Sequence, residues 1–196
     1  MTSKIGLKHI HAIAPYVGGR PISEVARDYG LDESKIVKLA SNENPLGMPQ
    51  SAQDAMIKAA ADLGRYPDSN GFELKKVLSE RLGVPADWVT LGNGSNDILE
   101  LAARAVAQAG DEIVSADNLY GGTYNLFHYT FPKMGIVVKF VPSNDLNALQ
   151  KAITPKTKAI VPVHLFGRAA NMEAIMAIAK EHNLYVIEDN AQAIDA

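Results

Sequence analysis

Two spacings of apolar residues alternate along most of the chain. Short runs rich in β-branched residues predict strands, and stretches with apolar residues at i, i+3 and i+4 predict amphipathic helices. Strands are predicted at 88–91, 112–115, 136–141, 159–163 and 184–188. Helices are predicted between them at 97–108, 122–133, 145–153 and 172–182. This alternation is typical of a parallel sheet that is covered by helices on both faces.

The first eighty-odd residues follow a different pattern, with predicted helices at 50–62 and 72–82 and a polar, turn-rich arm at 41–47. No strand is predicted before Trp88, and no repeat or low-complexity tract interrupts the chain. We therefore expect a three-layer α/β/α fold with a mainly parallel sheet of about five strands and an N-terminal helical extension. The expected organisation is one continuous domain, in which residues 1–87 form an arm and helices packed on a core of residues 88–196.

Composition excludes several classes of protein. The 196 residues carry 19 Lys and Arg against 22 Asp and Glu without a basic cluster, so we expect no nucleic-acid binding. The absence of cysteine excludes disulfides, thiolate nucleophiles and Cys-containing zinc sites. No apolar run approaches the ~18 residues of a membrane span. We accordingly expect a cytoplasmic protein that does not associate with membranes.

A glycine-rich turn, VTLGNGSND at 89–97, leads from a predicted strand into a predicted helix. Gly94 allows a tight turn, and the free N–H groups of the helix start, beside the side chains of Ser95 and Asn96, suit a phosphate. Ordinary helix capping by Ser or Asn produces the same pattern, so both interpretations stay open. A dinucleotide fingerprint would require a third glycine at position 97, where the chain has Asp97.

Polar residues also follow two predicted strands. Asp189 lies at the carboxyl end of an apolar strand, where open α/β sheets bind ligands, although a helix cap or a solvated loop is the alternative. His164 closes the strand before it, in a position where a lone histidine is more often structural. Tyr120 precedes two glycines and could present its ring to a planar ligand, whereas Tyr66 is equally consistent with packing. The five histidines show no metal-binding spacing, and no G-x-S-x-G motif is present.

Taken together, these segments resemble pyridoxal-phosphate (PLP) enzymes of fold type I, the aspartate aminotransferase superfamily. From about 22 to 111, KLASNENPLG, GRYPDSNGFELKKVL and LGNGSNDILELAARA resemble histidinol-phosphate aminotransferases. From about 111 to 158, SADNLYGGTYNLFHYTFPKMGI resembles O-acetylhomoserine sulfhydrylases, and from about 159 to 196, VPVHLFGRAANMEAIMAIAKEHNLYVIEDNAQA resembles DegT-type sugar aminotransferases. The segments follow the order of one shared fold. The resemblance therefore suggests a mosaic, either an engineered chimera or, as the second explanation, a natural recombinant or reconstructed ancestor.

The resemblance implies a cofactor site at the carboxyl ends of the strands. Gly94, Ser95 and Asn96 match the phosphate cup at the start of a helix. Tyr120 matches the aromatic residue that stacks on the pyridine ring, and Asp189 matches the acid that pairs with the pyridine nitrogen.

Three further residues match less closely. Gln192 matches the Gln or His that follows the acid in sugar aminotransferases and lies near the ring substituents. His164 lies near a position where histidinol-phosphate aminotransferases carry an Asn, but in a different local motif, VHLFG. Tyr66 resembles the tyrosine that reaches the phosphate of a neighbouring subunit, which implies a homodimer.

The main departure from these families is that the chain ends at Ala196, soon after Asp189 and before the position of the Schiff-base lysine. The resemblance therefore implies a truncated large domain that binds PLP noncovalently, with phosphate or sulfate at the same site and no turnover beyond that of free PLP. Residual aminotransferase activity and a folded protein without a small phosphorylated ligand stay open as alternatives. Since two strands of the parent sheet are missing, we expect 88–91 to pair with 184–188 in the order 3-2-4-5-1, unless a second chain fills that edge.

Overall fold

The computed structural model describes residues 11, 18–41 and 43–194. The chain divides into two compact units, one of Pro15–Val89 and the other of Thr90–Ala196 together with Met1–Ala14. The division falls at Val89, and the packing of residues 1–87 on a core of residues 88–196 as one domain stays a prediction.

Four parallel strands form the sheet in the described part of the chain. They are β1 (Glu112–Ala116), β2 (Val137–Val141), β3 (Thr157–Val161) and β4 (Tyr185–Val186), in the order β2-β1-β3-β4. Beyond β4 an isolated bridge pairs Val163 with Asp189 and continues the parallel ladder. The predicted order is confirmed for these four strands.

Seven α-helices lie in the described residues. They are α1 (Ile22–Tyr29), α2 (Gln50–Ala59), α3 (Phe72–Leu82), α4 (Ser95–Val106), α5 (Gly121–Asn125), α6 (Leu146–Ala152) and α7 (Met172–His182). Short 3-10 helices occupy Glu33–Lys35, Ala60–Asp62 and Ala86–Trp88.

The sheet has a hydrophobic cluster on each face. Ala159 and Val161 of β3 pack with Leu99 of α4 and with Phe127 and Phe131. The residue between them, Ile160, packs on the other face with residues of α6 and α7, as the alternation of side chains along a strand requires. The three-layer α/β/α architecture is therefore confirmed.

Two helices begin at side-chain caps. The Asp145 carboxylate accepts a hydrogen bond from the Ala148 N–H at 2.9 Å before α6, and Asn171 accepts one from the Ala174 N–H at 3.3 Å before α7. Asn183 ends α7 in the left-handed conformation, with φ of 54°. Local polar residues thus determine where α6 and α7 begin, the two helices that cover the Ile160 face of the sheet.

The helical stretch predicted at 122–133 is confirmed, but it is not one regular α-helix. After α5 the chain forms a π-helical turn, Leu126–Thr130, and then a 3-10 helix, Phe131–Met134. Pro132 has no N–H to continue an α-helix. The wider turn also brings Phe127 and Phe131, both buried, to a ring separation of 5.0 Å.

The prediction of a strand at 88–91 is wrong, because these residues pair with no strand in the described part of the chain. Pro85 starts a 3-10 turn in which the N–H groups of Trp88 and Val89 donate to Pro85 and Ala86 at 3.0 and 3.2 Å. These donors are therefore used locally. The described sheet ends at β4 rather than in the expected order 3-2-4-5-1.

Among the described residues of the Pro15–Val89 unit, helices are the only regular secondary structure. Its turn at 68–71 is held by the Asp68 carboxylate, which accepts bonds from the N–H groups of Phe72 at 2.7 Å and Asn70 at 3.0 Å. These bonds lower the pKa of Asp68. No helix among the described residues of the chain is long and apolar enough to cross a membrane.

Candidate functional site

The amino end of α4 begins at a glycine that few other residues could replace. Gly94 is the N-cap, with φ of 90° and ψ of 171°, and φ in this range strains residues that have a Cβ. Ser95 is the first helical residue, and no described side chain caps the helix. Side-chain capping therefore does not explain this turn. The first N–H groups and the positive end of the helix dipole remain suited to an anion.

A second glycine of the turn packs closely against α4. A Cβ at Gly92 would lie 2.8 Å from Cδ1 of Ile98 and 2.9 Å from Oδ2 of Asp97. The same Oδ2 atom accepts a hydrogen bond from the Asn93 N–H at 3.1 Å. The turn is therefore held against the helix that it starts, and one negative charge lies close to the helix start.

Asn96 links α4 to the segment at the start of α5. The buried hydroxyl of Thr123 donates to Oδ1 of Asn96 at 2.5 Å. A Cβ at Gly122 would collide with Nδ2 of Asn96 and lie 3.0 Å from Cε1 of Tyr120. Tyr120 is the N-cap residue of α5 and is 44% exposed. The structure thus brings Asn96 and Tyr120 together around Gly122.

Asp189 lies in the extended chain after β4 and is only 5% exposed. Its N–H donates to the Pro162 carbonyl at 3.0 Å, and its carbonyl accepts from the His164 N–H at 3.0 Å. The carboxylate accepts from the Ala191 N–H at 3.2 Å. Since Ile187 packs on the face covered by α4, alternation places Asp189 on the same face as Asn96 and Tyr120.

His164 is held by contacts within the chain. Its Nδ1 accepts a hydrogen bond from the Ala170 N–H at 3.0 Å, so the proton on Nε2 is donated to Oε2 of Glu188 at 2.9 Å. Both ring nitrogens have partners, and a ligand could contact only the carbon atoms of the ring. Sequence reasoning missed Glu188 as this partner, although it is the neighbour of Asp189.

Two buried amide oxygens accept no hydrogen bond from any described residue, Oδ1 of Asn118 and Oε1 of Gln192. A buried acceptor without a partner costs about 1–3 kcal/mol, so each oxygen is suited to a donor supplied from outside the chain. Gln192 was predicted from the sequence. Asn118 was missed, and the only signal for it was its place between β1 and Tyr120. The uncapped start of α4 is thus suited to an anion, and the unpaired oxygens are suited to hydrogen-bond donors.

Tyr66 belongs to the Pro15–Val89 unit and is fully exposed. Its predicted contact with the phosphate of a neighbouring subunit stays a prediction. The described residues contain no group of three or more His, Asp or Glu side chains that could hold a metal ion.

The chain matches a family model and many curated proteins. Residues 53–196 match the model of the DegT/DnrJ/EryC1/StrS aminotransferase family. A histidinol-phosphate aminotransferase of Cupriavidus pinatubonensis is 50% identical over 191 residues, which cover 94% of this chain and 50% of that protein. One from Haemophilus influenzae is 36% identical over 195 residues, covering 94% of this chain and 52% of that protein. The chain thus spans about half the length of the curated relatives it matches.

Solved structures match a smaller part of the chain. An O-acetylhomoserine sulfhydrylase from Wolinella succinogenes aligns with 46% of this chain and 26% of that one, at 29% identity and a TM-score of 0.44. A cystathionine gamma-lyase from Lactobacillus plantarum, complexed with L-serine, aligns with 50% and 26%, at 30% identity and a TM-score of 0.46. Because one natural relative spans all three segments of the suggested mosaic, these comparisons give no support to a chimeric or engineered origin.

Proposed function

The chain belongs to the DegT/DnrJ/EryC1/StrS aminotransferase family of PLP-dependent enzymes, and we propose that residues 90–194 bind PLP noncovalently. The observation that carries the proposal is the meeting of Asn96, Gly122 and Tyr120 at the uncapped start of α4. An anion site and an aromatic ring are the two features that a phosphorylated pyridine requires. They come from motifs that are distant in sequence.

The phosphate of PLP is the strongest anchor in this proposal. Backbone N–H groups at the start of α4, the hydroxyl of Ser95 and the amide of Asn96 are donors that suit a dianion, and the helix dipole adds to them. The nearby carboxylate of Asp97 opposes an anion, but it is engaged with the Asn93 N–H. Inorganic phosphate or sulfate would bind the same donors, more weakly, because it makes no contact through a ring.

The pyridine ring is proposed to lie against Tyr120 with its nitrogen toward Asp189. A buried carboxylate favours a protonated partner, so Asp189 would hold a proton on the ring nitrogen. When bound, PLP supplies an electron-withdrawing ring that stabilises negative charge on a substrate carbon. The Asp189 backbone is fixed by its bonds to Pro162 and His164, which keeps the carboxylate in position without a ligand. Gln192 and Asn118 offer acceptors for donors of the ligand or of bound water.

Titration of the chain with PLP, followed by absorbance, tests the proposal. Pyridoxal, which lacks the phosphate, should bind at least tenfold more weakly than PLP if the helix start holds the phosphate. Inorganic phosphate should compete with PLP. Borohydride reduction before mass analysis should leave no stable adduct at a lysine.

Variants locate the site within the chain. A Ser95→Ala, Asn96→Ala double variant should weaken PLP binding, whereas an Asn147→Ala, Gln150→Ala double variant on the exposed side of α6 should not. Equal PLP affinity in the two double variants would contradict the proposed site.

Aminotransferase activity is the second candidate function, favoured by the 50% identity with a histidinol-phosphate aminotransferase. An assay with glutamate and histidinol phosphate, run beside PLP alone, distinguishes the two functions. Binding without turnover supports the proposal. Saturable rates above the PLP blank that Asp189→Ala abolishes would favour the enzyme instead.

A further inference from the structure

The start of α5 contains a buried hydroxyl with a partner on another helix. Thr123 is fully buried, and its Oγ1 donates to Oδ1 of Asn96 at 2.5 Å. Threonine in a helix usually bonds a carbonyl three or four residues earlier in its own helix. Here the hydroxyl instead joins two helices through residues 27 positions apart.

In this hydrogen bond, Oδ1 of the Asn96 amide faces the Thr123 hydroxyl. Because a hydroxyl donor holds Oδ1, the Nδ2 group lies on the opposite side of the amide. Nδ2 occupies the space next to Gly122 that a Cβ would fill. Asn96 therefore presents two N–H donors, and no acceptor, beside the ring of Tyr120.

Gly122 is the second requirement of this arrangement. A Cβ at this residue would collide with Nδ2 of Asn96 and would lie 3.0 Å from Cε1 of Tyr120. Either the amide or the ring would have to move. A Cβ at Gly122 would thus contact both of the side chains that are proposed to hold the phosphate and the ring.

We infer that Thr123 is a positioning residue, which turns the Asn96 amide so that its N–H donors select a phosphorylated ligand. The inference rests on the proposed function, because it concerns the same site. It assigns the preference for a phosphate to a residue that would not touch the ligand itself. Gly122 provides the space in which that orientation is reached.

The test compares PLP with pyridoxal in variants of the whole chain. Thr123→Val keeps the volume but removes the donor, so PLP affinity should fall about tenfold while pyridoxal affinity changes less than about twofold. Thr123→Ser keeps the hydroxyl and should retain most of the preference for PLP. In an Asn96→Ala background, Thr123→Val should cause no further loss, because the two residues act through one interaction.

A second variant keeps the inference testable if Thr123→Val does not fold. Asn96→Asp preserves an acceptor for the Thr123 hydroxyl but replaces the N–H donors with a negative charge. Its thermal midpoint should stay near that of the wild type, while its preference for PLP over pyridoxal should disappear.

The outcomes separate the inference from the proposed function. A wild-type chain that does not bind PLP overturns both. A wild-type chain that binds PLP, with an unchanged PLP preference in folded Thr123→Val, overturns the role of Thr123 alone. An unchanged PLP preference in Asn96→Asp overturns the role of Asn96 in the phosphate site, and the role of Thr123 with it. An equal loss of PLP and pyridoxal affinity in Thr123→Val would indicate a structural role and would also overturn it.

Discussion

Glu112 connects three segments at the amino ends of the strands, away from the candidate site. Its carboxylate accepts bonds from Lys139 of β2 at 2.7 Å and from the Thr154 hydroxyl, before β3, at 2.5 Å. Lys139 also donates to the Ala152 carbonyl at 3.1 Å. The bond from Lys139, and then that from Thr154, lower the pKa of Glu112.

The size of this contribution follows from burial. The side chains of Glu112 and Lys139 are 14% and 32% exposed, which lies between a surface pair and a buried one. Hydrogen bonds to charged groups contribute about 1.5–3 kcal/mol when buried, and exposed pairs contribute about 1 or less. We expect Lys139→Met to lower the free energy of unfolding by about 1–2 kcal/mol at pH 7. For a chain of this size, each kcal/mol corresponds to about 2–4 °C in the thermal midpoint.

The pH dependence of the free energy of unfolding tests the contribution of Glu112 independently. Because folding lowers the pKa of Glu112, the unfolded chain binds more protons than the folded chain between the two pKa values. The stabilisation is therefore present above the unfolded pKa and is lost as the pH falls through the folded value. Glu112→Gln, which carries no charge, should lose less stability than the wild type in this acidic range.

Urea unfolding at pH 7 and at several values below pH 5 measures both effects. PLP affinity at pH 7 should be unchanged in Lys139→Met, since the pair lies at the opposite end of the strands from the site. Parallel pH profiles for the wild type and Glu112→Gln, or a loss below about 0.3 kcal/mol in Lys139→Met at pH 7, would refute the reasoning.

Three more outcomes are expected. Gln192→Met removes a buried acceptor that has no partner and keeps a similar side-chain volume. It should raise the thermal midpoint of the ligand-free chain and weaken PLP binding, and calorimetry with and without PLP measures both effects. His164→Leu leaves the Ala170 N–H unpaired and should cost about 1–3 kcal/mol in urea unfolding, with PLP affinity changed less than twofold. Light scattering at micromolar concentration should give a homodimer, because β4 pairs on one side only in the described sheet; a monomer mass would contradict this.

Local sequence was sufficient where an element carries its own signals. The helix predicted at 172–182 has the same bounds in the structure, because Asn171 caps it and Asn183 ends it. The runs that form β1 and β3 were recognised because their apolar residues face helices on both sides of the sheet. In these segments, local preference and tertiary packing favour the same structure.

The pairing of 88–91 and the side-chain contacts at the site could not be predicted in this way. The run at 88–91 resembles a strand in composition, but a strand also needs a neighbour, and the turn after Pro85 uses two of its donors. At the site, the pattern identified Asn96 and Asp189 one at a time. It could not reveal the hydroxyl that holds Asn96 or the Glu188 carboxylate that holds His164, because each partner is more than twenty residues away.

The two ends of the strands differ in how completely their polar groups are satisfied. At the amino end, Glu112 has partners from two other segments. At the carboxyl end, α4 lacks a described side-chain cap, and Asn118 and Gln192 each bury an oxygen that no described residue bonds. A ligand that satisfies these groups binds the folded chain and not the unfolded one. PLP at a hundredfold excess over its dissociation constant should therefore raise the free energy of unfolding by about 2.7 kcal/mol. An equal rise with pyridoxal at the same concentration would mean that the phosphate contributes nothing to this stabilisation.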